Sequence, residues 1–328
     1  MSVPEPKYVD ADLEVAILGE SPELTAEEVS SASGFRVEQT LKLWRALGFP
    51  TAGDDSIFTD ADVRALAIVG ATIERGTLDE ETVLRMTRAL GQMMARLADW
   101  EVGTLAGHIE KIEASDKATG SRLETAMNLV ADVQPGFEEL LIYVWRRHLA
   151  AAAARLAAAG NTEDHLNAAE LTVGFADLVG FSAYSNEISR EEIGEMVEEF
   201  ENLCLDAVAR RRGRVIKTLG DSVLFVSETP AGAFEVADEI IRQIVATPML
   251  PDVRIGLATG PVELRLGDVF GPAVNLAARM MTVARRNRVI CDEQTAAGLP
   301  EDEFEIRVLP SRPIRGFGEL APIAVRRR

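Results

Sequence analysis

Two aspartates stand where a purely structural strand would carry aliphatic side chains. Asp177 closes an apolar run within Phe175-Ala176-Asp177-Leu178-Val179-Gly180-Phe181-Ser182, and Asp221 sits at a glycine turn in Lys217-Thr218-Leu219-Gly220-Asp221-Ser222. A lone acid at either place is ordinarily a turn or cap residue. Two acids at the ends of neighbouring strands can instead hold hard divalent cations through oxygen. Two such cations stabilise the attacking and leaving oxygens of an in-line displacement at phosphorus. A third stretch, Gly267-Asp268-Val269-Phe270-Gly271-Pro272-Ala273-Val274-Asn275-Leu276-Ala277-Ala278-Arg279, adds Asp268 at a turn and Asn275 and Arg279 four apart on a helix. That spacing puts the last two on one face, aimed at one spot. Small apolar neighbours surround them, so the helix is a packed one.

The elements that must position these residues follow from periodicity. Residues 171–177 read as a buried strand, and Ser189 with Glu192 makes a capping box for the next helix. That helix carries Met196, Phe200, Cys204 and Ala207 on one stripe and ends at Gly213. A hairpin is expected over Arg214–Leu219 and Ser222–Val226, turning at Gly220-Asp221. A helix over 230–246, a strand over Val253–Thr259, a turn at Gly260-Pro261, a short strand, a helix over 272–285 and a strand over Arg288–Cys291 complete the pattern. Strand, helix, hairpin, helix, strand is the order of a ferredoxin-like split βαβ sheet.

The three stretches, in this order and spacing, resemble the catalytic domain of class III nucleotidyl cyclases over the C-terminal half of the chain. The resemblance implies two Mg2+ or Mn2+ ions per site on Asp177 and Asp221, with the Leu178 backbone carbonyl as a further ligand. It implies that Lys217 donates to adenine N1 and Asp268 accepts from the exocyclic amine, which makes the substrate ATP. Asn275 would orient the ribose and Arg279 would stabilise charge on the α-phosphoryl oxygens. Either Asp177 or metal-lowered acidity of the 3′-hydroxyl would serve as the base. In the family the metal aspartates of one subunit work with the lysine, asparagine and arginine of the other, so a head-to-tail homodimer is expected. The competing reading is non-enzymatic: a degenerate cyclase domain used as a nucleotide-sensing or scaffold module. Every catalytic position is present, which counts against it. Arg254 and the tail Arg326–Arg328 are further residues able to meet phosphates.

The first half reads as helices nearly throughout, giving an α+β protein: an all-α regulatory and dimerisation domain over 1–160, a linker over 161–170 and the catalytic domain over 171–328. Thr59 with Asp62 caps one helix, Val83, Met86, Leu90, Met93, Met94 and Leu97 form a stripe read as core, and Pro135-Gly136 is expected to end the helix from Arg122. The long run Phe137–Ala159 leads to a break at Gly160–Asp164. This half resembles the helical regulatory domain of mycobacterial pH-responsive adenylyl cyclases. Residues 24–76 also carry a faint likeness to a MerR-type winged helix, which would make DNA a partner. Only Lys42 and Arg45 would be basic contacts there. His148 and His165 are the candidate regulatory histidines, because imidazole titrates near neutrality. A small molecule, a lipid or the proton itself is the expected class of effector.

The chain of 328 residues carries a formal charge of −19, and about fourteen of those negatives precede residue 171. An acidic first half repels phosphate backbones and argues against nucleic acid. No apolar run approaches the ~20 residues that cross a bilayer, so a cytoplasmic protein is expected. Cys204 and Cys291 lie too far apart for a zinc spacing and read as buried thiols.

Overall fold

The computed structural model describes residues 11–50, 56–158, 168–265 and 267–328. The chain divides into two compact units, Met1–Ala158 and Ala159–Arg328. The first is helical: α1 (Ala11–Leu18), α2 (Ala26–Ser33), α3 (Val37–Ala46), α4 (Asp60–Glu74), α5 (Glu80–Glu113) and α6 (Arg122–Ala158). Thr25 and Thr59 begin α2 and α4 with capping boxes, and Asp79 caps α5. Helix α6 does not stop at Pro135-Gly136 but runs through it. An interior proline removes one hydrogen bond at a cost of about 3 kcal/mol, and a helix of 37 residues with strong helix formers on both sides absorbs it. The expected methionine core also fails. Val83 and Leu84 are buried, whereas Met86, Leu90 and Met93 are each more than half exposed. The break expected at Gly160–Asp164 lies outside the described residues.

The second unit runs β1 (Ala168–Leu178), α7 (Phe181–Tyr184), α8 (Arg190–Arg210), β2 (Arg214–Thr218), β3 (Ser222–Ser227), α9 (Pro230–Val245), β4 (Val253–Arg265), β5 (Asp268–Phe270), α10 (Pro272–Val283) and β6 (Arg288–Cys291). α11 (Glu293–Ala297), β7 (Phe304–Val308), β8 (Arg312–Ile314), β9 (Gly318–Leu320) and β10 (Ile323–Arg327) follow. The main sheet has the order β2-β3-β1-β4-β6-β10-β7, with β5 added to β4. β1 begins at Ala168, ahead of the expected start at 171, because it pairs with β4 along its whole length. That pairing also carries β4 straight through Gly260-Pro261, where a turn was expected. Pro261 falls between the stretch paired to β6 and the stretch paired to β5, so its missing N–H interrupts no ladder on that side.

Side chains alternate across the central strand. Ala176 and Leu178 enter a core with Met196, Phe200 and Cys204 of α8 and Phe234 and Ile240 of α9. Val173 and Phe175 face the other way, against Ala273, Ala277 and Met281 of α10. Both cysteines are buried without a disulfide, and burial pushes both thiols well up.

One buried charge ties α8 to α9. Glu239 accepts from Arg211 at 2.9 Å, Arg242 at 2.8 Å and Gln243 at 2.8 Å. The Arg211 bond first, then Gln243, outweigh burial and hold this carboxyl at about 2, against an ordinary 4.5. A depressed folded value contributes stability above pH 4.5 that is lost as the pH falls toward 2. Glu239→Gln is therefore expected to cost about 2 kcal/mol at pH 7, roughly 4–8 °C in Tm. In thermal unfolding the gap to the unmodified protein should narrow below pH 4.5 and close near pH 2. A gap independent of pH would remove the charge network as its cause.

Candidate active site

Strand register assembles the acidic cluster. Asp177 lies opposite Ser222 on β3 and opposite Arg254 on β4. The Asp177 carboxylate is buried, accepts the Ser222 hydroxyl on Oδ1, and takes Nε and Nη2 of Arg254 at 2.7 Å on Oδ2. Asp221 is fixed by its own backbone, since its carbonyl accepts the Leu178 amide at 2.9 Å and Gly220 supplies the left-handed turn at φ 72°. Burial, then the Asp177 charge, raise the Asp221 carboxyl above its ordinary value despite the help of Arg254. Two crowded carboxylates with hard oxygen donors and an uncompensated negative charge fit a divalent cation. Among the described residues no group of three or more His, Cys, Asp or Glu gathers as a metal cluster.

Lys217 reaches the same sheet face through a β-bulge. Val215 pairs with Phe225 in the α8/α9 core, yet Lys217, two residues on, pairs with Leu224, which faces α10. Without the extra residue at Ile216 the lysine would point into the apolar core. The bulge re-aims it. Its ammonium meets Asp268 Oδ2 at 2.5 Å, and the Val269 amide donates to Oδ1 at 2.8 Å. Burial alone raises the Asp268 carboxyl, but the Lys217 bond, the Val269 amide and the Lys217 charge together bring it below its ordinary value. The pair is thus charged and in place.

Asn275 and Arg279 are positioned by α10, whose approach to the sheet requires a glycine. A Cβ on Gly256 would lie 2.0 Å from the Met281 amide nitrogen and 2.3 Å from the Ala277 carbonyl. The helix backbone therefore rests directly on β4. Ala273 and Ala277 face the sheet, while Asn275 is exposed and Arg279 half-buried. Among the described residues neither of these two side chains has a hydrogen-bond or ion-pair partner.

The chain therefore gathers its expected residues into separate groups: Asp177 and Asp221 with Arg254, then Lys217 with Asp268, then Asn275 with Arg279. The contacts of Asp177 with Ser222 and Arg254 carry no local signal in the sequence; the strand register brings them together. His148 is exposed on α6, and His165 lies outside the described residues. Lys42, one of two basic contacts in the DNA-binding reading, is committed to Glu80 at 2.8 Å. No helix among the described residues is long and apolar enough to cross a membrane.

The model of the adenylate and guanylate cyclase catalytic domain matches residues 164–323. An adenylate cyclase from Streptomyces coelicolor is 35% identical across 99% of this chain and 94% of its own length. One from Glutamicibacter nicotianae is 34% identical across 95% of this chain and 81% of its own length. A pH-sensitive adenylate cyclase from Mycobacterium tuberculosis is 28% identical across 93% of this chain and 78% of its own length. Similarity of this order along nearly the whole chain, helical half included, makes the protein a member of the class III adenylate cyclase family.

Proposed function

We propose that the chain converts ATP to 3′,5′-cyclic AMP and pyrophosphate. The observation that carries this reading is the Lys217–Asp268 ion pair, whose lysine a bulge turns onto the sheet face that also holds Asp177 and Arg254. Lysine offers a donor to adenine N1 and aspartate an acceptor to its amine. Guanine presents the reverse pattern and would leave both groups unpaired.

Asp177 and Asp221 would hold Mg2+ or Mn2+, two per site, with the Leu178 carbonyl as a further ligand. Bound there, the ions supply acidity to the 3′-hydroxyl and neutralise charge on the polyphosphate. The hydroxyl proton leaves to solvent, the 3′-oxygen bonds to the α-phosphorus, and the bond to the bridging oxygen breaks so that pyrophosphate departs with the electron pair. Arg279 would hold the charge that builds on the α-phosphoryl oxygens, an interaction felt mainly in the transition state. Asn275 would fix the ribose. Because Asn275 and Arg279 have no side-chain partner within the described chain, a second copy placed head to tail supplies a sensible one: its aspartates, metals and bound nucleotide.

The helical unit is proposed to regulate and dimerise the catalytic unit. Exposed Met86, Leu90, Met93 and Trp100 on α5, with Ile142, Tyr143 and Trp145 on α6, support this, because large apolar side chains left uncovered along helices favour burial against a further surface. The proton, acting on His148 or His165, a small molecule or a lipid is the class of signal it would read.

Chelation tests the metal reading. Removing divalent ions with EDTA should abolish cyclic AMP formation, and adding Mg2+ or Mn2+ should restore it. Turnover that survives chelation would contradict it.

A further inference from the structure

Inside the helical unit a cavity of about 320 Å³ lies where the end of α2, helices α3 and α4 and the start of α5 meet. That volume falls at the small end of the ~300–1,000 Å³ typical of small-molecule pockets. Its apolar walls include Phe35, Leu43, Ile73, Val83 and Leu84, of which Leu43, Val83 and Leu84 are buried. Gly70 sets one wall. A Cβ there would lie 2.8 Å from the Phe35 ring, so the ring closes against α4 only because that position is glycine. A glycine inside a helix is less stable than alanine, and here the loss is exchanged for the placement of Phe35. The turn that carries Phe35 is pinned as well. Gly34 takes the left-handed conformation at φ 79° and donates to the Ser30 carbonyl at 3.1 Å, while the Ser30 hydroxyl donates to the Phe35 carbonyl.

The polar groups on this lining are unevenly matched. Lys42 is the single cation among the lining residues, and it is committed to Oε1 of Glu80 at 2.8 Å. Glu74, on the same lining, has no hydrogen-bond or ion-pair partner among the described residues. Ser33 lines the cavity too, and its hydroxyl oxygen is buried without a hydrogen-bond partner. A buried hydroxyl left unpaired is costly, and a ligand that brings a polar group beside it relieves that cost. The lining is therefore short of positive charge. The chain around it carries a net charge of −19, and a field of that sign raises the local concentration of cations.

We propose that this cavity binds a small amphipathic amine, its apolar body against Phe35, Leu43 and Leu84 and its ammonium on the Glu74 carboxylate. An ammonium brings three donors, enough for Glu74 and a neighbouring oxygen such as that of Ser33. An anion of the same shape would meet Glu74 with like charge and would have to part Lys42 from Glu80, so it is disfavoured. The cavity stands without the cyclase reading. Only the step from binding to a change in cyclic AMP output rests on the proposed regulatory role of the helical unit.

The test uses the intact chain, Glu74→Gln and Gly70→Ala. Phenethylamine and hexylamine are the probes, with phenethyl alcohol and hydrocinnamate as uncharged and anionic counterparts. Glu74 is exposed, so its change should leave the fold intact. Gly70→Ala must displace the Phe35 ring, and its Tm without a probe reports whether the fold holds. Both amines should raise the Tm of the unmodified protein, the alcohol less, and the carboxylate not at all. In calorimetry the amines should bind Glu74→Gln about tenfold more weakly, with the alcohol unchanged. A folded Gly70→Ala should bind the amines and the alcohol more weakly alike. Amine binding equal in the unmodified protein and Glu74→Gln, a carboxylate that binds as well as the amines, or no binding of either amine overturns the site. Amines that bind and shift cyclic AMP formation in the unmodified protein, with both effects weakened in Glu74→Gln, support the site and its regulatory role. Amine binding with unaltered cyclic AMP formation keeps the site and rejects the role. Amine binding by a chain that forms no cyclic AMP keeps the site and rejects the cyclase reading.

Discussion

Mixing Asp177→Ala with Asn275→Ala/Arg279→Ala is expected to recover activity that neither protein shows alone. Each change removes groups that act in the transition state, so each variant should fall by about 10²–10³-fold or more. If a site draws its metals from one subunit and its clamp from the other, a mixed dimer collects all the damage in one site. Its twin is intact. With random pairing half the dimers are mixed and each has one working site of two, so the ceiling is about a quarter of the unmodified rate. The geometry favours this outcome, because α10 turns Asn275 outward and neither it nor Arg279 bonds within the described chain. No recovery, with mixed dimers shown to form, would mean that each subunit holds a complete site.

The second large effect concerns the base. Changing Lys217 to Glu and Asp268 to Cys together should lower kcat/KM for ATP by about a hundredfold or more, since buried polar groups would face adenine unpaired. The two residues contact each other at 2.5 Å, so changing Lys217 alone would also strand an acid that its ammonium now holds ionised. The double change avoids that confusion. Metal-dependent stabilisation through Asp177 and Asp221 should survive in the variant. An unchanged ATP rate would separate the pair from base recognition.

Local signals carried much of the fold. The Ser189–Glu192 box, the Gly220-Asp221 hairpin and the stripe on α8 each depend on residues within a turn or two of one another, and each is present as expected. Contacts set by register were harder to see. Arg254 meets Asp177 across 77 residues of sequence, and nothing in the segment Val253-Arg254-Ile255 marks which acid it will face. The bulge at Ile216 carries no glycine to announce it. Pro135 and Pro261 misled in the same way. Proline stops an element only where the lost N–H was needed, and a long helix or a half-covered strand can spare one. The α5 methionines looked like core because periodicity reports an apolar face without saying whether this chain covers it.

The central claim is that this chain closes ATP on itself, and product formation tests it most directly. The intact protein should be incubated with ATP and GTP in equal amounts with Mg2+ or Mn2+, and the cyclic nucleotides separated and quantified. The account predicts cyclic AMP with stoichiometric pyrophosphate, and cyclic GMP lower by about a hundredfold or more. Equal amounts of the two products, or neither, would contradict it.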